Sequence, residues 1–238
     1  MMAVILAGGR GTRLRPLTVT VPKPLLPLGD QSILEIVLSQ LQAHGFTRVV
    51  ITLGHMARLF AAVIGDGSRW GMRIDYVFEH EPLGTAGPLR CIDDLADDFL
   101  VMNGDILTTL DYRQLFAFHR QQQALGTIAV TQRTVRIDYG VITALPDTQL
   151  LHYHEKPAIH YAVSMGVNVL SRRCLDHVPA GRRFDMPELM QAMQQAGERV
   201  CCHGTNCYWQ DIGRLEDYDA ACADFQADPQ RFLVPGRS

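Results

Sequence analysis

Apolar residues in the first half of the chain follow two alternating rhythms. Residues 3–6, 49–53 and 99–102 are short continuous apolar runs bounded by glycine or polar residues, the pattern of strands buried on both faces. Residues 73–78 alternate as a further strand. Between them, residues 32–42 put Ile33, Leu34, Val37, Leu38 and Leu41 on one helical stripe, with Gly45 just past its end. Residues 56–64, 85–95 and 112–122 also read as helices, Pro88 being tolerable in a first turn. Repeated strand–helix alternation predicts an α/β fold: a Rossmann-like, mostly parallel mixed sheet flanked by helices. After Gly126 the rhythm changes. Residues 127–133, 139–144, 150–154 and 163–170 read as strands with little room for helices between them, so the second half should be more antiparallel. Helices over 187–195 and 215–227 complete the chain. No repeat, low-complexity stretch or linker interrupts it, and the expectation is one domain over 1–238 whose halves meet near residue 125.

Composition narrows the classes. With 238 residues and 47% hydrophobic content, the chain can bury a sizeable core and is not predominantly disordered. A formal net charge of −3 argues against nucleic acid or an anionic membrane surface as the main partner. No apolar run approaches the roughly 20 residues of a membrane helix. The opening MMAVILA has no basic residue before it and meets Gly8-Gly9 at once, so it does not read as a leader. A cytoplasmic location is expected. Cys91, Cys174, Cys201, Cys202, Cys207 and Cys222 show no paired framework and read as free thiols. Cys201, Cys202, His203 and Cys207 lack zinc-site spacing, since adjacent cysteines on a strand face opposite ways. His152 and His154 share a strand face without a visible third ligand. Met186, Leu189, Met190 and Met193 form a stripe that reads as core, and the Arg172-Arg173 and Arg182-Arg183 pairs as solvated surface. One count is more pointed: only two of the 22 basic residues are lysines, Lys23 and Lys156, each followed by proline. Lysine offers a compact, rotatable ammonium that arginine's planar fork does not reproduce.

The chemistry-bearing motifs begin directly after the first strand. Leu6-Ala7-Gly8-Gly9-Arg10-Gly11-Thr12-Arg13 lets the backbone turn sharply and present N–H groups to an anion, beyond the carboxyl end of a strand where parallel sheets bind ligands. The loop is neither a Walker A sequence nor a dinucleotide fingerprint, because Leu14 stands where a third glycine would. Arg10, Arg13 and Arg15 together call for a polyanion. Pro22, Pro24 and Pro27 stiffen the next segment around Lys23, suiting a fixed phosphate contact. Asp105 ends a strand beside this loop, where a carboxylate could hold Mg²⁺ against phosphates; after Asn-Gly it is equally an ordinary turn residue. Asp211 could converge on the same ion or cap the last helix. Glu155-Lys156-Pro157 could grip a phosphate and sugar hydroxyls, or be an exposed charge pair before a turn.

GGRGTRLRPLT followed by PKPLLPLG resembles the signature of the sugar-1-phosphate nucleotidyltransferases, closest to short mannose- and heptose-1-phosphate guanylyltransferases. Further likenesses are Glu81 to Gly87, Met102-Asn103-Gly104-Asp105, Tyr139-Gly140-Val141, Glu155-Lys156-Pro157 and Trp209-Gln210-Asp211-Ile212-Gly213. The resemblance implies a nucleotide-binding first half and a sugar-phosphate-binding second half. It implies NTP and a sugar 1-phosphate as partners, Mg²⁺ as cofactor, and a homodimer as the assembly. Arg13 and Lys23 would be catalytic. Leu6, Ala7, Gly8, Gly9, Gly11, Thr12, Arg13, Lys23, Glu79, Gly84 and Thr85 would bind the nucleotide. Gly140, Glu155, Lys156 and Asn168 would hold the sugar phosphate, and Asp105 and Asp211 the metal. Where many relatives carry glutamine at the base loop, this chain has Glu79 and Glu81; a carboxylate only accepts, which suits the paired donors of guanine and points to GTP. A glucose-1-phosphate-type uridylyl- or thymidylyltransferase is the alternative, followed by a non-catalytic nucleotide-sugar-binding relative, which should have lost one of the four charged residues kept here.

Overall fold

The computed structural model describes residues 1–9, 11–54, 56–79 and 81–233. Arg10 and His80, both in segments singled out above, lie outside them. In chain order the strands are β1 (Met2–Leu6), β2 (Pro27–Leu28), β3 (Gln31–Ser32), β4 (Arg48–Leu53), β5 (Arg73–Phe78), β6 (Asp98–Asn103) and β7 (Ile106–Thr108). Then follow β8 (Gly126–Arg136), β9 (Val141–Ala144), β10 (Leu150–His154), β11 (Ala158–Ser171), β12 (Val200–Gly204) and β13 (Trp209–Asp211). The helices are α1 (Ile33–Ala43), α2 (Ala57–Ile64), α3 (Tyr112–Gln121), α4 (Met186–Gln195) and α5 (Leu215–Ala227).

Seven strands form the central sheet in the order β12-β8-β11-β6-β1-β4-β5. All pairs are parallel except those made by β11, which runs against both β6 and β8. Period-2 alternation sends neighbouring side chains of each strand into different cores. Ala3 and Ile5 of β1, with Leu100 and Met102 of β6, pack under α1, α2 and α3. Met2 and Val4, with Phe99 and Val101, pack against α4 and the segment around Leu89. Tyr112, wholly buried, meets Phe46 and His44 edge-on. A third, smaller core lies away from the sheet and joins Leu14, Leu26, Leu28, Ile33, Ile36, Leu107, Ile212 and Phe225. α5 supplies Ala221 and Phe225 to it, and Phe232 follows from the segment after the helix.

The helix expected over 85–95 is not formed. A short 3₁₀ turn, Gly87–Cys91, stands there, because Pro88 has no N–H to donate and the Ala86 and Gly87 amides donate to Phe184 O instead. β2, β3, β7, β12 and β13 are additions to the expected strands; all but β12 are only two or three residues long, too short for a periodicity to declare itself. β8 and β11 are longer than expected. Their outer halves pair from Arg133↔Tyr161 to Arg136↔Ala158 and, with the β9–β10 hairpin, make an exposed arm. Among the described residues, no helix is long and apolar enough to cross a membrane.

Candidate active site

β1 ends between β4 and β6, and the chain leaving it is clipped on both sides: the Ala7 amide donates to Thr52 O (3.0 Å) and the Gly104 amide to Leu6 O (2.9 Å). The glycine loop therefore starts from a fixed point. One position in it requires glycine: Gly11 (φ +59°) turns left-handed against Thr18, whose hydroxyl donates to Gly11 O (2.7 Å), while Gly8 lies beneath the Glu79 carboxylate, whose Oε1 a Cβ would meet at 2.8 Å.

This loop, Lys23, the end of β5 and the end of β6 enclose a cavity of about 460 Å³. All eleven residues of the expected nucleotide set line it, and so does Asp105. Lys23 is only 8% exposed, and its ammonium pairs with Asp105 Oδ2. Burying an ammonium this far requires such a partner. Asp105 Oδ1 is buried with no hydrogen-bond partner among the described residues. The Glu79 carboxylate is half-buried over Gly8 and accepts from the Leu83 amide (3.0 Å); burial pushes it above the usual carboxylate range. Glu81, the other acid of this segment, is exposed and does not line the cavity.

A second cavity of about 520 Å³ shares Leu6, Thr85 and Asn103 with the first. Its remaining wall is largely apolar, with Ile106, Ile128, Met165, Met186, Met190 and Trp209, and its polar groups include Ser164, Asn168, Gln191 and Asp211. Pairing of β13 with β7 sets Asp211 opposite Ile106, and the Ile212 amide donates to Asp105 O (3.2 Å). Residues 106 positions apart in the sequence thus become spatial neighbours. Burial raises the Asp211 carboxyl, with the nearby Asp105 charge adding to it and Lys23 and Arg13 opposing. The Arg13 guanidinium lies against Gly213, where a Cβ would sit 3.4 Å from it.

Not every expected residue converges here. Gly140, Glu155 and Lys156 line neither cavity; they belong to the exposed arm. Gly140 accommodates Tyr153, whose hydroxyl donates to Glu155 (3.3 Å), and Lys156 adopts φ +44° in the turn after β10. Arg183 is exposed, as expected, and also lines the first cavity beside Asp185, to which it donates (3.1 Å). Met186 and Met190 of the expected core stripe also face the second cavity. Thr52, Asn103 and Asp185 line the cavities without having been singled out. Only Asn103, next to Gly104-Asp105, stood in a motif that could have drawn attention to it. Among the described residues, no three His, Cys, Asp or Glu side chains stand together as a ready-made metal cage.

The profile of the Nucleotidyl transferase family matches residues 2–227. The chain belongs to this family. As a nucleotidyl transferase it is 33% identical over 239 residues to a UTP–glucose-1-phosphate uridylyltransferase of Synechocystis, covering 92% of this chain and 61% of the relative. It is 34% identical over 229 residues to a mannose-1-phosphate guanylyltransferase of Mycobacterium tuberculosis, covering 93% and 64%. This nucleotidyl transferase chain thus spans about three-fifths of the length of these curated relatives. The crystal structure of HddC from Yersinia pseudotuberculosis superposes with a TM-score of 0.72 at 26% identity, covering 94% of this chain and 99% of that one. HddC complexed with GMP-PN gives the same TM-score and coverage at 25% identity.

Proposed function

We propose that this chain joins a sugar 1-phosphate to a nucleoside triphosphate, releasing pyrophosphate and forming a nucleotide sugar. The observation that carries the reading is the buried Lys23–Asp105 pair at the mouth of the glycine loop, with Asp211 beside it across the wall between two cavities. One cavity suits a nucleotide and the other a sugar, and the charged groups stand where the reacting phosphates would meet. An oxygen of the sugar phosphate attacks the α-phosphorus in line; the bond from that phosphorus to the β-phosphate oxygen breaks, and pyrophosphate departs. A phosphate monoester is already an anionic nucleophile, so no protein base is needed. Positioning and charge neutralisation supply the catalysis. Arg13 stabilises the charge on the leaving pyrophosphate, Lys23 neutralises the α-phosphate, and Asn168 and the second cavity orient the sugar. Asp105 and Asp211 fit a Mg²⁺ ion: the unpartnered Asp105 Oδ1 is a free ligand, and magnesium is commonly held by one or two carboxylates together with substrate phosphates. When bound, the ion would neutralise charge between the reactants.

GTP is the proposed nucleotide, with a mannose- or heptose-type 1-phosphate as acceptor. Glu79 supports this, being the acid that reaches the nucleotide cavity and an acceptor for the N1–H and N2–H₂ edge of guanine. The GMP-PN complex of HddC and the mannose-1-phosphate guanylyltransferase relative point the same way. Pyrophosphate release measured across GTP, UTP, dTTP and ATP with a panel of sugar 1-phosphates tests both levels. Turnover with GTP at least tenfold ahead in kcat/KM is expected. Turnover led by UTP or dTTP retires the guanine assignment, and no turnover with any pair retires the reaction.

A further inference from the structure

The loop that borders the nucleotide cavity and the helix that borders the acceptor cavity cap each other. α4 begins at Met186, preceded by Asp185 at the N-cap position. An aspartate there ordinarily turns its carboxylate onto the first turn of its own helix. Asp185 forms a capping box with Glu188, whose carboxylate accepts from the Asp185 amide (2.6 Å), and its Oδ1 in addition accepts from the Thr85 amide (3.0 Å) and stands 3.4 Å from the Thr85 hydroxyl. The orphan amide of Met186 donates in return to Thr85 Oγ1 (2.6 Å). Backbone bonds reinforce the exchange, the Ala86 and Gly87 amides both donating to Phe184 O (2.9 and 3.0 Å) and the Phe184 amide to Leu83 O (2.9 Å). The fit is close. Gly84 is left-handed at φ +82°, and a Cβ there would lie 2.6 Å from both Asp185 Oδ1 and Phe184 O.

This clasp joins the two cavities mechanically. Thr85 lines both, Asp185 lines the first, and Met186, Met190 and Gln191 of the clasped helix line the second. A ligand that seats against α4 fixes the helix N-terminus, and the helix N-terminus fixes the Gly84-Thr85 backbone beside Glu79. Resting on the reaction proposed above, we infer that Asp185 is a positioning residue through which acceptor occupancy sharpens nucleobase selection. It touches neither reacting phosphate in this account. Its effect is carried by the hydrogen bond to Thr85, so a sugar phosphate in one cavity and the base in the other are bound with positive coupling.

Calorimetric titration of α,β-methylene-GTP and α,β-methylene-UTP, with and without mannose 1-phosphate or the acceptor the turnover panel selects in its place, measures that coupling. In the wild type the acceptor should tighten the GTP analogue at least fivefold, and the UTP analogue less. In Asp185→Ala the factor should fall to near one, and the GTP:UTP ratio of kcat/KM should fall about tenfold, with the loss in nucleotide KM rather than in kcat. Asp185→Asn keeps an oxygen for the Thr85 amide and should restore both quantities. Should Asp185→Ala fail to fold, Asp185→Ser caps α4 but is too short for Thr85, and carries the same expectation. Retained coupling in a folded Ala or Ser variant, a wild-type factor of one, or an equal loss of kcat with all nucleotides overturns the clasp while the reaction stands. A wild type that turns over no NTP with any sugar 1-phosphate overturns the reaction, and the clasp with it.

Discussion

The two regions expected to handle phosphate are built on opposite principles. Around the two cavities, four charged side chains have a buried anchor close by in sequence: Leu14 after Arg13, Leu26 after Lys23, Leu107 after Asp105 and Ile212 after Asp211. All four anchors meet in the small third core beneath α5, so charges from four distant segments are held by one apolar cluster. The arm carrying Gly140, Glu155 and Lys156 has no such backing. Tyr139 is 79% exposed there, and Ile142, Leu150 and Tyr153 are all more than half exposed. Pre-organised charge is worth most where its supports are rigid and water is excluded. The comparison teaches that the two regions are under unequal structural control: the charges beside the glycine loop rest on an apolar core, and those of the arm do not.

The largest test of that contrast is Asp105→Asn. It removes the charge that partners Lys23, and kcat should fall about a thousandfold, ~4 kcal/mol of transition-state stabilisation. Thermal melting should show a far smaller loss, and steady-state kinetics with excess Mg²⁺ gives the ratio. A variant that keeps a tenth of its activity would move the centre of the chemistry away from this pair. Next comes the lysine pair. Lys23→Arg forces a planar fork into a space fitted to an ammonium and should cost about a hundredfold in kcat/KM. Lys156→Arg, on the arm, should cost roughly tenfold or less, confined to the acceptor KM. Equal losses at the two sites would mean that the arm is as tightly built in the working complex as the glycine loop is here.

The loop and Lys23 were legible because their chemistry is local: a strand, a glycine turn and a proline-stiffened segment announce themselves within about 25 residues. The convergence of Asp211 with Asp105 was legible, but not the backbone pairing that produces it. The approach depends on the β13–β7 register, and three-residue strands carry too little pattern to reveal that pairing. Arg183 and Asp185 sit in a polar turn before α4, and such a turn reads as solvated surface until the Gly84–Thr85 loop is seen packed against it. Over 85–95, Leu89, Ile92 and Leu95 are buried at helical spacing, but Pro88 and the amides given to Phe184 O decide the backbone, and only the Gly87–Cys91 turn forms. The arm's strands were visible, but nothing in their alternation said that both faces would meet solvent.

Base selection gives a smaller and sharper effect. Glu79→Gln keeps the size of the side chain above Gly8 but adds an amide donor, so the GTP:UTP ratio of kcat/KM should fall about tenfold, or 1.4 kcal/mol. An unchanged ratio would assign the reading of the base to backbone groups. The smallest effect expected is a gain. Asp211 is held above the ordinary carboxylate range by burial and by the Asp105 charge. Folded protein therefore keeps this proton to higher pH than unfolded chain does, and stability falls as pH rises through that interval. Asp211→Asn removes the loss: without metal it should melt ~2 °C higher at pH 7, a figure reduced for partial exposure, and the advantage should vanish toward pH 4. A lower melting temperature at pH 7 would show that Lys23 and Arg13 outweigh the repulsion.

The unequal burial of two lysines in an arginine-rich chain has a practical corollary. Amine-reactive reagents attack neutral, accessible amines, and beyond the chain's first residue only Lys23 and Lys156 carry one on a side chain. Lys23 is enclosed and paired with Asp105, whereas Lys156 stands in an open turn at the edge of the arm. Mild acylation will thus distinguish them without any mutation, placing a fluorophore or cross-linker on the arm while leaving the glycine-loop lysine intact. Energy transfer from a nucleotide dye to that label would then report whether the distance between arm and cavity changes when ligands bind.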